Sequence, residues 1–524
     1  MTSGWNDELV AQQSIDGLDR PAAPFLLRWE DVMRRYFGAI AFSIATIIVV
    51  LEWIPILFGG LWLDETFTWW QAHRGWHNAY AVVSNSPGVP PLFAAVSSLF
   101  YFGPGKYMEF WLRLPTFVAM LLSAFLLFRL AEAWFGRNDA WLALVMFVSE
   151  KEIINRATEA RPYGLAMAAC LGIMYGLHVW LSQKRAWGWL LFLASTILAP
   201  YWQVLFCAFF VVPALYIVCW GYQGRRVPWL ALAGSALLIL ATWLPLRPQL
   251  MALLAKGNTL SFAEVPTFDT FMDILLPPRF VVSAFLSVIA AQLLLSDKLD
   301  SDSPCTRFLP ARILALIALF WMVSGPVELF AASKLKGYGL LVERYTSYAT
   351  AGMALVAANF FARARTYTAQ VATVVIFGMV SIAAAASHHW HGPSMGSWRE
   401  PAREISRTDP TGQVPVLFAS GFVESNFLDW EHSTGPETHI YAPLQVYPIA
   451  NQWYPLPYKL DDRAKAQTDR LLNGKLNGQP RIMLLAYEPS ALTEWVTQRL
   501  EDRHYTMHLT SPDSIVLQVF DAQK

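Results

Sequence analysis

Apolar runs alternate with short polar connections along most of the chain. Runs at 37–59, 112–130, 139–157, 162–182, 188–202, 204–220, 228–246, 280–296, 312–331, 341–361 and 369–387 predict about eleven transmembrane helices. The segment Pro90 to Gly103, PPLFAAVSSLFYFG, is shorter than the ~20 residues a spanning helix needs and reads as an interfacial or re-entrant helix. With that segment left out of the count, each cytoplasmic connection is basic: Arg34 and Arg35, Arg129 to Arg137, Lys184 and Arg185, Arg225 and Arg226, Lys298 to Arg312, Arg363 to Arg365. This parity puts the amino terminus in the cytoplasm and the stretch Leu61 to Trp70, LWLDETFTWW, outside.

Two places depart from simple spanning helices. Polar residues begin inside the third run, at Ser149 to Arg161 (SEKEIINRATEAR), which predicts a helix whose outer part faces water or a cavity. Arg247 to Arg279, with four prolines and several charges, reads as a long outer loop able to cover a site like a lid. From His388 the pattern becomes that of soluble sequence. Strands are expected at Val414 to Ser420, Ile482 to Glu488 and Ser514 to Phe520, and helices at Asp461 to Leu472 and Ser490 to Glu501. The domain expectation is a cytoplasmic segment (1–36), a transmembrane part (37–387) and a small extracytoplasmic α/β domain (388–524).

Composition agrees with a polytopic membrane protein: 55% of the 524 residues are hydrophobic and only 15% charged, too few to cover a soluble globule of this size. The 39 basic and 39 acidic residues leave no net field, which argues against nucleic acid as a partner. Cys170, Cys207, Cys219 and Cys305 have no metal spacing, and three lie in apolar runs, so neither disulfides nor a zinc site is inferred. The first 36 residues contain no apolar core followed by a cleavage site, so no removable signal peptide is expected. His388, His389 and His391 look like a metal tract but have no acidic or Cys partner at helical spacing.

On the outer face the topology collects carboxylates and cations, among them Asp64, Glu65, Arg113, Glu159, Arg161, Lys334, Lys336, Glu343 and Arg344. Carboxylates can take a proton from a hydroxyl, and arginine and lysine can hold phosphate. An acidic pair at the mouth of a membrane helix is costly unless it pairs, solvates or does chemistry.

At this point the chain resembles the GT-C class of polyprenyl-phosphate-sugar-dependent glycosyltransferases, in particular bacterial relatives of the protein O-mannosyltransferases and of the lipid A aminoarabinose transferase. The resemblance is carried, in order, by LDET at Leu63 to Thr66, PPLF at Pro90 to Phe93, WLRLP at Trp111 to Pro115, EARPYGL at Glu159 to Leu165, ERY at Glu343 to Tyr345 and WREPAREI at Trp398 to Ile405. It implies an inverting transferase at the outer face of the inner membrane that moves a sugar from a polyprenyl-phosphate carrier to a lipid, glycan or protein hydroxyl. Asp64 would deprotonate the acceptor, with Glu65 in support. Arg161, Arg344, Lys334 and Lys336 would bind the donor phosphate. Glu159, Tyr163, Arg113 and Tyr345 would border the site, with Arg113 leaning towards fixing helix entry. The family often carries His or Lys just before its PP or KP step, whereas this chain has Asn85, Ser86, Pro87, Gly88 and Val89 there. Some members of the wider class use a divalent cation, but no acidic and histidine set with ligand spacing stands out, and the metal expectation is none. A transporter or flippase is the alternative, since a polar cavity in a polytopic protein also fits translocation. A non-catalytic scaffold would leave the DE pair and the cations without a reason to gather.

Overall fold

In a hydrocarbon layer, backbone N–H and C=O groups must be satisfied within the segment, so the apolar runs fold as helices. The computed structural model describes residues 24–77, 79, 89–260, 263–294, 309–363, 366–387, 396–427, 438–487, 490–510 and 515–523. Among these, seven helices are long and apolar enough to cross a membrane: Arg28–Leu57, Met108–Trp134, Tyr163–Gln183, Val204–Tyr222, Trp229–Ala252, Ala311–Lys336 and Tyr367–Ala386. Phe268–Leu275 and Pro278–Leu293, bent by 54°, form an eighth if they are one span. The other expected spans are shorter helices, Arg137–Val148, Ala186–Trp202 and Ala349–Phe361. The chain is a multi-pass helical membrane protein with a small α/β domain at its C-terminal end. The histidine tract at 388–391, Cys305 and Asn85 to Gly88 fall outside the described residues.

Two expectations change. The third run is broken: its helix ends at Val148, Glu150 is extended, and Lys151–Thr158 starts a new helix. The break turns Arg156 and Glu159 inward, where they pair with each other. The lid-like loop is instead largely helical, as Arg247–Leu260 and Phe268–Leu275. Pro248 sits in the first turn, where its missing N–H costs nothing. Thr267 caps the second helix, its Oγ1 accepting from the Thr270 N–H at 3.2 Å. The segment after Pro90 forms the nine-residue helix Pro91–Leu99.

The C-terminal sheet comprises β1 (Val416–Ala419), β2 (Trp453–Pro455), β3 (Arg481–Tyr487), β4 (Tyr505–Thr510) and β5 (Ile515–Ala522), ordered β2-β1-β3-β5-β4. β1 runs parallel to β2 and β3, while β5 is antiparallel to β3 and β4. Alternate residues enter different cores, as the pleat requires. Leu417, Ile482 and Leu484 pack with Ala464, Leu472, Leu492 and Val496 of the helices Asp462–Asn473 and Ala491–Glu501. Val416, Phe418, Met483 and Leu485 join Trp398 and Ile405, and with them Trp62 and Leu63 from the membrane part.

That shared core fixes how the domain sits. The Trp398 N–H donates to the Leu61 carbonyl at 3.2 Å, and the Leu61 N–H donates to Tyr447 Oη at 2.8 Å. Tyr447 in turn donates to Glu109 at 2.9 Å, and Arg399 pairs with the same carboxylate. Gly60 is needed here, because a Cβ would overlap Ser397 and Arg399. The WREPAREI segment therefore seats the domain on the approach to Asp64.

Candidate active site

The helix Leu63–Ala72 begins at the extended residue Trp62, whose N–H donates to Glu65 Oε2 at 3.1 Å. This capping puts acidic side chains in the first turn, where the helix dipole favours them. Successive helical residues point about 100° apart, so the two carboxylates diverge.

Glu65 turns inward and is fully buried with Arg113. Their two ends meet at 2.7 and 2.5 Å in a bidentate pair. Arg113 also donates to the carbonyls of Ile56, Gly59 and Gly60 at 2.8, 2.7 and 2.9 Å, which pins the turn leading into the helix. Glu65 Oε1 also accepts from the Ala160 N–H at 2.6 Å. One buried pair thus positions the start of the Asp64 helix and the residue before Arg161. Neither Glu65 nor Arg113 lines the cavity described next. The structure gives Glu65 a positioning place beside the site.

Asp64 turns outward into a cavity of about 980 Å³ between the membrane part and the C-terminal domain. Arg344 Nη1 lies 2.5 Å from Asp64 Oδ2, and Arg161 Nη2 lies 3.6 Å from the same oxygen. Burial alone would raise the Asp64 carboxyl, but Arg344, Arg161 and Arg156 outweigh it and hold the group below the ordinary aspartate value. Arg344 is carried by the one-turn helix Glu343–Thr346 and lies over the rings of Trp62 and Tyr345, with its Cζ 5.7 Å from each centroid. Arg161 is set by its own backbone, its carbonyl accepting from Thr116 Oγ1 at 2.7 Å. Gly164 lets that helix approach closely, since a Cβ there would overlap Thr116.

Of the residues expected at the site, Asp64, Arg161, Arg344, Tyr163 and Tyr345 line the cavity. Glu159 is buried behind it, paired with Arg156, which does line it and stands 2.8 Å from Glu152. Lys334 and Lys336 do not line it: they are exposed in the last turn of Ala311–Lys336, where cations complement the helix dipole. Sequence reasoning left Arg156 out of the phosphate set, although its i, i+4 and i, i+3 spacing to Glu152 and Glu159 marks a buried pairing residue. It also missed Glu424, His439 and Lys459, which the C-terminal domain brings to the opposite wall. A second cavity of about 380 Å³ lies beyond Glu343, lined by Glu150, Glu152, Asp273 and Arg279 among others. Among the described residues no His, Cys, Asp or Glu group has the arrangement to hold a metal ion.

The arrangement can hold an anion on guanidinium groups beside a carboxylate that accepts protons. No family model and no curated protein matches the chain. Among solved structures it is similar to ArnT from Cupriavidus metallidurans in the apo state, with a TM-score of 0.53 and 14% identity over 91% of this chain and 97% of that one. It is also similar to the arabinofuranosyltransferase AftD from Mycobacteria (TM-score 0.46, 15% identity, 94% of this chain and 40% of that one). The oligosaccharyltransferase AglB from Archaeoglobus fulgidus gives a TM-score of 0.43 and 11% identity over 92% and 74%. At these identities the likeness is one of fold alone, and it is the fold of ArnT that the chain shares.

Proposed function

We propose, taking the GT-C fold as premise, that the chain is an inverting glycosyltransferase at the outer face of the inner membrane, moving a sugar from a polyprenyl-phosphate carrier to an acceptor hydroxyl. The observation that carries this reading is the meeting of Asp64, Arg161 and Arg344, from three distant stretches, in one cavity. The donor phosphate would take Arg344 and Arg161, with Arg156 behind them, as the planar guanidinium suits a phosphate oxygen pair.

Both arginines are shared between Asp64 and the incoming phosphate. Without donor they depress the carboxylate and make it a weak base. As the phosphate draws them off, Asp64 becomes a stronger base when the acceptor hydroxyl needs one. It then takes that proton as the hydroxyl oxygen attacks the anomeric carbon and the bond to the carrier phosphate breaks. The departing phosphate gains negative charge, which the same arginines stabilise. Lys334 and Lys336 are no part of this proposal, and Glu65 acts by holding Asp64 and Arg161 in register. The proposed divisions are the cytoplasmic segment 1–36, the catalytic membrane part 37–387 and the extracytoplasmic domain 388–524.

The test is to incubate purified protein with a labelled polyprenyl-phosphate sugar and a membrane extract that supplies acceptor hydroxyls, and to follow free polyprenyl phosphate. Release that depends on Asp64 is expected. A transporter or flippase moves the donor intact and releases none.

A further inference from the structure

Besides the arginines, Asp64 and Glu343, the charged and imidazole groups on the cavity wall among the described residues come from the C-terminal domain: Glu424, His439 and Lys459. The His439 ring is held edge-on among Phe67, Phe422 and Trp70, with centroids at 4.9, 5.5 and 5.7 Å. Its Nε2 faces Glu424 Oε2 at 3.9 Å, too long for a hydrogen bond. Three rings fix the imidazole, so the gap is not closed by swinging it over. Both groups are partly exposed, at 25% and 42% of their side chains, and both open onto the same space as Asp64. A hydroxyl oxygen set to the side of the 3.9 Å line joining the carboxylate and the fixed imidazole is within hydrogen-bond reach of both, donating to the first and bonding to the second. A carboxylate-bearing ligand at that point would instead meet the charge of Glu424.

We infer that Glu424 and His439 form a sugar-selecting subsite: with the donor phosphate on the arginines, a hydroxyl of the donor sugar sits between them, and that sugar is neutral rather than a uronic acid. The inference rests on the donor reading above and goes further by assigning sugar choice to the C-terminal domain.

The experiment is a binding titration of the purified full chain in lipid nanodiscs with three probes: undecaprenyl phosphate, its conjugate with a neutral hexose, and its conjugate with glucuronate. Wild type is compared with Glu424→Gln and His439→Ala. The hexose conjugate is expected to bind wild type more tightly than the glucuronate conjugate. Each substitution should weaken the hexose conjugate by about 10-fold or more, the worth of a charge-assisted hydrogen bond, with undecaprenyl phosphate itself changed by less than about twofold. Equal weakening of all three probes, or no change in any, overturns the subsite. If wild type does not bind undecaprenyl phosphate at all, the donor reading itself fails. Glu424→Gln preserves shape and carries the test alone if His439→Ala does not fold, which the unfolding temperature reports.

Discussion

Two carboxylates adjacent in sequence lie in regions of opposite character. Asp64 opens into a cavity and shares one oxygen with two arginines that line the same cavity. Glu65 is sealed from solvent with a single arginine that also ties down four carbonyls of the preceding turn. The first region has guanidinium donors that a ligand can take over. The second has none to spare, and its bonds are spent on shape. A reactive acid at a membrane surface thus needs a rigid neighbour, because the cations that tune it come from segments distant in the chain and must be held in register.

The largest effect that separates the two regions is expected at Asp64. Asp64→Asn should lower transfer by about 10²- to 10⁴-fold, the usual worth of a general base, without moving the unfolding temperature. Full activity in this variant would remove Asp64 from the chemistry. Glu65→Ala or Arg113→Ala should instead act on the fold, at about 3–5 kcal/mol, since each leaves a buried charge unpaired. Thermal unfolding in detergent reads this directly, and an unshifted curve would contradict the sealed pair.

The contrast sharpens with pH. Asp64 must be ionised to accept a proton, and in the free protein its carboxyl lies below the ordinary aspartate value. The acid limb of kcat/KM, which reports the free enzyme, should therefore fall below the normal aspartate range. In Arg344→Gln, whatever activity survives should lose its acid limb at higher pH, because the main favourable charge is gone. A limb that stays in place would mean Arg344 does not tune Asp64. The smallest effect is expected at Lys334→Ala and Lys336→Ala, which should change donor affinity by less than about twofold, as exposed charges outside the cavity contribute little.

Much of this fold was legible in the sequence because lipid leaves the backbone few options. The apolar runs became helices where the pattern put them, and the strands at Val416, Arg481 and Ile515 followed their apolar stretches. Length was harder to read: Arg137–Val148 stops early because Glu150 and Glu152 follow, which a hydropathy count absorbs into the run. The stretch 247–279 looked like a loop for its prolines, yet Pro248 and Pro278 stand at helix starts, where proline is well tolerated. Within the site, the sequence could name the DE pair but not which member faces outward, since one residue of helix phase decides it. Glu424 and His439 carried no local signal, because their approach to Asp64 depends on how Trp62 and Leu63 insert into the core of the C-terminal domain.

The central claim is that Asp64 and the donor phosphate compete for the same two arginines. Undecaprenyl phosphate binding to wild type and to Asp64→Asn, measured side by side in nanodiscs, tests it most directly. Removing the competing carboxylate should tighten binding by about three- to tenfold, the worth of a partly exposed ion pair, even as transfer is lost. Binding that weakens or stays the same in Asp64→Asn would contradict the shared-arginine account.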